Sequence, residues 1–137
     1  MVQEVKAKLV EGEVHNFTYC IDLNLPALFV GISDDGFRER QAYLGKMLSK
    51  IADILPQYFY YASRIVRHKT SVSSRHELDF DHNIARIYLN SDQQLSKDSI
   101  EAGLNRAISH LDLVWGKVNE RLGVEPQLLN VTVKLEQ

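Results

Sequence analysis

The densest run of side chains able to do chemistry comprises Arg64, Arg67, His68, Lys69 and Thr70, followed by Arg75, His76, Glu77, Asp79, Asp81 and His82. Imidazoles and carboxylates at this density could ligate a metal or move protons, provided three or four of them converge on one point. An extended segment over 76–82 sends His76 and His82 to one face and Glu77, Asp79 and Asp81 to the other. That divergence argues against a metal centre, and no metal or cofactor is expected. His68-Lys69-Thr70 sets a hydroxyl two residues beyond an imidazole, a short pattern with which a pair of histidines handles a phosphodiester by acid and base catalysis. Two copies are needed, and His15, His76, His82 and His110 lack the hydroxyl that should follow.

A second group is aromatic and basic. Tyr58, Tyr60, Arg64 and His68 fall at even spacing in a segment rich in strand-forming residues, and Arg86 and Tyr88 repeat the theme further on. On neighbouring strands these residues share one face, which could stack and neutralise a small anionic or nucleotide ligand, bound or hydrolysed as by a phosphodiesterase. Against that reading, tyrosine favours strands for packing reasons alone. The formal net charge of −2 also gives no overall attraction to nucleic acid or to an anionic membrane. No Gly-x-Ser-x-Gly elbow, Walker-type loop or Gly-x-Gly-x-x-Gly turn occurs, so no catalytic residue is singled out. The single cysteine, Cys20, excludes an intrachain disulfide. It shares the polar face of its segment with Asp22, whose carboxylate raises a thiol pKa, so Cys20 reads as inert.

Hydrophobic periodicity gives the elements that carry these groups. Val5 to Leu9 alternates apolar and charged residues, and after Glu11-Gly12 a second strand places Phe17, Tyr19, Ile21 and Leu23 opposite Thr18, Cys20, Asp22 and Asn24. The apolar run Ala27 to Ile32 predicts a central strand. Tyr43, Leu44, Met47, Leu48, Ile51, Ile54 and Leu55 recur at helical spacing, and Pro56 should stop that helix. Strands are expected over 58–67, 76–80 and 84–89, with the last two as separate strands or, alternatively, as one strand broken by a bulge at Asp81-His82-Asn83. A second helix starts at the N-cap Ser96, with Leu95 and Ile100 as a hydrophobic staple, and ends before Gly123. Its stripe runs through Leu104, Ile108, Leu111, Trp115, Val118 and Leu122, which predicts burial of Trp115 with Leu111 and Val118. Alternation from Leu129 to Leu135 closes the chain with a strand.

These elements fit one domain, 1–137, with a hairpin over 3–24 and a β-α-β-β-α-β core over 27–136. In element order the core resembles the ferredoxin-like split unit. That likeness implies an α+β fold with two helices on one face of an antiparallel sheet and the hairpin as an N-terminal addition. The chain lacks a long continuous apolar run, which predicts a cytoplasmic protein with no membrane partner. The expected function is a non-catalytic binding or assembly module, a dimer or larger, acting through its sheet face or its second helix. Leu113 lies nearly opposite the helix stripe among Arg106, His110 and Lys117, a surface suited to assembly. A helix of about 36 Å also outruns strands of about 20 Å, leaving apolar surface for another copy to cover.

Overall fold

The computed structural model describes residues 3–30, 34–62, 72–79, 81–121 and 127–136, without the side chains of 27, 30, 34–38, 59–62, 114–121 and 127. In chain order the elements are β1 (Gln3–Glu13), β2 (Asn16–Asn24), the single turn α1 (Leu25–Leu28), β3 (Phe29–Val30) and α2 (Asp34–Ala62). They continue with β4 (Val72–Asp79), β5 (Ile84–Ser91), α3 (Lys97–Arg121), β6 (Gln127–Leu128) and β7 (Val131–Glu136). A five-stranded sheet is ordered β4-β5-β2-β1-β7, and β3 and β6 form a separate two-stranded ladder. The fold is α+β, with a mixed sheet and two long helices.

The strand order is not that of the ferredoxin-like split unit. The β1–β2 hairpin is no addition, because it fills the middle of the sheet between β5 and β7. Alternation of apolar and polar residues marks a strand with one open face, and it reads the same at the centre of such a sheet as at its edge. Nor is the sheet wholly antiparallel: β7 runs parallel to β1, from Gln3 opposite Val131 to Lys8 opposite Glu136. The helix α3 carries the chain from β5, past β2 and β1, to that far position. A 25-residue helix suits such a crossing, being about 38 Å long. The strands β1 and β2, of 11 and 9 residues, are longer than the mismatch argument assumed. The stripe of α3 is buried within its own chain through Ile100, Leu104, Ala107, Ile108 and Leu111. The side chains of Trp115, Lys117 and Val118 lie outside the described residues.

Three local expectations are corrected. Among the described residues of the run Ala27 to Ile32, only Phe29–Val30 is strand, paired with Leu128 and Gln127 outside the main sheet, and 31–32 lie outside the described residues. The run is apolar because Leu25, Leu28 and Phe29 plug the core, and Pro26 fits the first turn of a short helix. Pro56 does not end the first helix, which runs to Ala62, so Tyr58 to Ala62 is helix and not strand. Proline has no N–H to give the Ala52 carbonyl one turn back, and the Ser74 hydroxyl on β4 donates to that carbonyl instead. Residues 63–67 lie outside the described residues. Finally, Asp81-His82-Asn83 is the turn between antiparallel β4 and β5 rather than a bulge. Asp79 Oδ1 accepts from the His82 N–H at 3.2 Å, and Asn83 turns the chain at a φ of 54°.

Both helices cover one face of the sheet. Val5, Ala7, Tyr19, Ile21, Leu23, Ala85, Ile87, Leu89, Val131 and Val133 point into the core against Leu44, Met47, Leu48, Ile51 and Leu55 of α2 and the stripe of α3. The start of α3 is fixed as its sequence implies. The Ser96 hydroxyl accepts from the Ser99 N–H at 3.1 Å, and Leu95 and Ile100 are both buried. The buried Tyr19 hydroxyl accepts from the Leu95 N–H at 2.8 Å and donates to the Leu95 carbonyl at 3.3 Å, tying β2 to the helix entry.

Candidate functional site

The face of the sheet away from the helices is polar, and strand register sorts its side chains into rows. Glu77, Arg86, Asp22 and Lys6 are successive cross-strand neighbours, as are Arg75, Tyr88, Cys20 and Lys8. In the first row Arg86 lies between carboxylates, Nε 3.6 Å from Asp22 and Nη1 3.9 Å from Asp79. The His82 ring adds a 2.8 Å contact from Nδ1 to Asp79 Oδ2. This hydrogen bond, ahead of every other influence, holds the Asp79 carboxyl below its ordinary range. In the second row the Arg75 guanidinium sits 3.9 Å above the Tyr88 ring. Burial first, and then Asp22, raises the Cys20 thiol, the direction opposite to that of an activated nucleophile. Beside this row a hollow of about 260 Å³ is lined by Val10, Glu11, Thr18, Ser73, Ser74, Arg75, Tyr88 and Asn90. Asn90 Nδ2 donates to Thr18 Oγ1 at 2.9 Å and to Asn16 Oδ1 at 2.7 Å, fixing one wall.

A wider groove of about 470 Å³ opens on the helical side, lined by Tyr58 of α2 and Arg106, Ser109, His110 and Leu113 of α3. The Tyr58 and His110 rings meet edge to face at 6.4 Å. Asn105 and Asn130 also line the groove. Asn105 is committed to the backbone, since its amide donates to the Val131 carbonyl at 2.9 Å and accepts from the Val131 N–H at 2.8 Å. Leu113 stands 82% exposed at the rim.

The structure divides the residues singled out from sequence. Arg86 and Tyr88 share the open sheet face as expected, but Tyr58 and Tyr60 belong to α2, on the other side of the sheet. The expected six-residue ligand face is therefore not assembled as drawn, and Arg64 and His68 lie outside the described residues. Tyr58 instead joins Arg106, His110 and Leu113, uniting part of the ligand set with most of the assembly set in one groove. The turn at 81–83 also brings His82 onto Asp79, where a continuous strand would have parted them. Among the described residues no three His, Cys, Asp or Glu side chains group as metal ligands, and no helix is long and apolar enough to cross a membrane. Sequence reasoning missed the Arg75–Tyr88 stack because the pairing of residue 75 with residue 88 depends on where the β4–β5 turn falls. Comparisons with protein-family models, curated proteins and solved structures found no match.

Proposed function

We propose that this chain is a non-catalytic assembly module, working in the cytoplasm as a dimer or larger oligomer of itself. The observation that carries the reading is Leu113, almost fully exposed on the rim of a groove walled by Tyr58 and His110. An exposed leucine backed by two rings offers an apolar anchor with rigid walls and a polar rim of Arg106 and Ser109, the composition of an interface centre. A second copy is the simplest partner, since homo-oligomers with closed symmetry are the commonest assemblies. Light scattering across the micromolar range tests this, with a dimer or larger species expected. Leu113→Glu should shift it toward monomer while leaving the far-UV circular dichroism unchanged, because a substitution at so exposed a position scarcely alters the fold of the single chain. A monomer at every concentration refutes the reading.

A second reading, capture of a small anionic or nucleotide ligand, draws support from the Arg75–Tyr88 stack beside its hollow. A thermal-shift panel of mono- and dinucleotides, repeated on Tyr88→Ala, tests it. Stabilisation of the parent protein that the variant loses is the result expected.

A further inference from the structure

The two outer strands of the sheet are treated differently by the rest of the chain. At β7 the helix α3 caps the outward backbone groups: Glu101 Oε2 accepts from the Val133 N–H at 2.8 Å, and Asn105 grips both the N–H and the carbonyl of Val131. An edge whose donors are already engaged cannot template another strand. At the opposite side, β4 pairs with β5, and among the described residues nothing pairs with its other edge. Its central residues Arg75, His76 and Glu77 are exposed. Arg75 is held upright by the Tyr88 ring, and among the described residues the Glu77 carboxylate has no ion-pair partner.

We infer that the open edge of β4 pairs antiparallel with β4 of a second copy, His76 facing His76 across a two-fold axis, so that two five-stranded sheets become one. The register follows from charge. Centred on His76, the pairing sets Arg75 opposite Glu77 of the second copy, and the symmetry repeats that pair on the other side of the axis. Centred on Arg75 it opposes two arginines, and centred on Glu77 it opposes two glutamates and sets Arg75 opposite Asp79, a carboxylate already engaged by His82 and Arg86. A shift by one residue turns the polar face of one sheet to the helical side of the other. The strand is thus most complementary to itself in the register centred on His76, where the carboxylate that meets Arg75 is the one without an ion-pair partner among the described residues, which commits the edge to another copy of this chain. The inference shares with the assembly reading only the identity of the partner, since it uses the edge of β4 and not the groove lined by Leu113.

Two experiments test it. Glu77→Arg turns both cross-strand pairs repulsive and should weaken the dimer about 30-fold, and adding Arg75→Glu should restore it. In a Cys20→Ser background, His76→Cys should give a disulfide-linked dimer on mild oxidation, since directly opposed residues bring their Cα atoms within about 4.5–5.5 Å. Ser73→Cys should not, because its symmetry mate lies about 20 Å away along the strand. Equal cross-linking at both positions overturns the register. A dimer that Leu113→Glu dissociates, but that neither charge reversal nor His76→Cys touches, overturns the edge pairing and leaves the assembly reading intact. A monomeric parent protein overturns both.

Discussion

Replacing Ser74 with alanine removes the hydroxyl that donates to the Ala52 carbonyl across the α2–β4 contact. In an ordinary helix that change would matter little, because the carbonyl would still hold the N–H four residues on. Here residue 56 is proline, so no intrahelical donor exists, and Ala52 is only 1% exposed, which denies water the same role. A buried acceptor left unpaired costs about 1–3 kcal/mol, a large part of the ~5–15 kcal/mol that holds a domain folded. The decisive test is a double-mutant cycle with Pro56→Ala, which returns an N–H to the helix. In that background Ser74→Ala should cost no more than about 0.5 kcal/mol, giving a coupling of at least ~0.5 kcal/mol. Urea denaturation followed by far-UV circular dichroism measures all four corners. If Ser74→Ala costs the same with proline or alanine at position 56, the hydroxyl is not what lets the helix continue.

Further outcomes are expected at Tyr19 and at two aspartates. Tyr19→Phe leaves the Leu95 N–H unpaired in a buried place and should cost about 1–3 kcal/mol, with faster hydrogen exchange at the Leu95 amide; unchanged exchange would mean that the phenol does not anchor the helix entry. The Asp79 carboxyl titrates below its ordinary 3.8, so its contribution to stability is present above 3.8 and is lost as pH falls through the lower folded value. The stability gap between the parent protein and Asp79→Asn should therefore close in that acid window. Asp112, raised above 3.8 chiefly by burial, works the other way: its contribution is present below 3.8 and is lost as pH rises through the folded value. Asp112→Asn should gain on the parent protein over that range, as denaturation at stepped pH would record.

Much of the fold was legible where one short stretch carries both the signal and its cause. The alternation through Phe17, Tyr19, Ile21 and Leu23 specified a strand and its buried face together. Ser96, Leu95 and Ile100 specified where α3 begins. What was not legible depends on partners far along the chain. Nothing near Pro56 announces that Ser74 will replace its missing donor, so local preference stopped the helix and gave the tyrosines to a strand. The turn at Asp81-His82-Asn83 was visible as polar residues, but whether they bulge one strand or join two rests on Asp79 folding back onto His82. That choice also moved the candidate sites. With 58–62 helical, Tyr58 left the sheet for Leu113 and His110, and with β4 and β5 paired, Arg75 came to lie on Tyr88.

The parallel pairing of β1 with β7 bears on how the chain is made. β1 precedes every other described element, and the strand that covers its outer edge is the last of them. At the usual pace of about 5–20 residues per second, the β1–β2 hairpin waits on the order of ten seconds beside the ribosome with the edge from Gln3 to Lys8 unpaired. Neighbouring ribosomes on one message hold identical hairpins with the same edge still unpaired. Lys6 and Lys8 put repelling charge on that waiting edge, and a chain released before Val131 keeps it open for good.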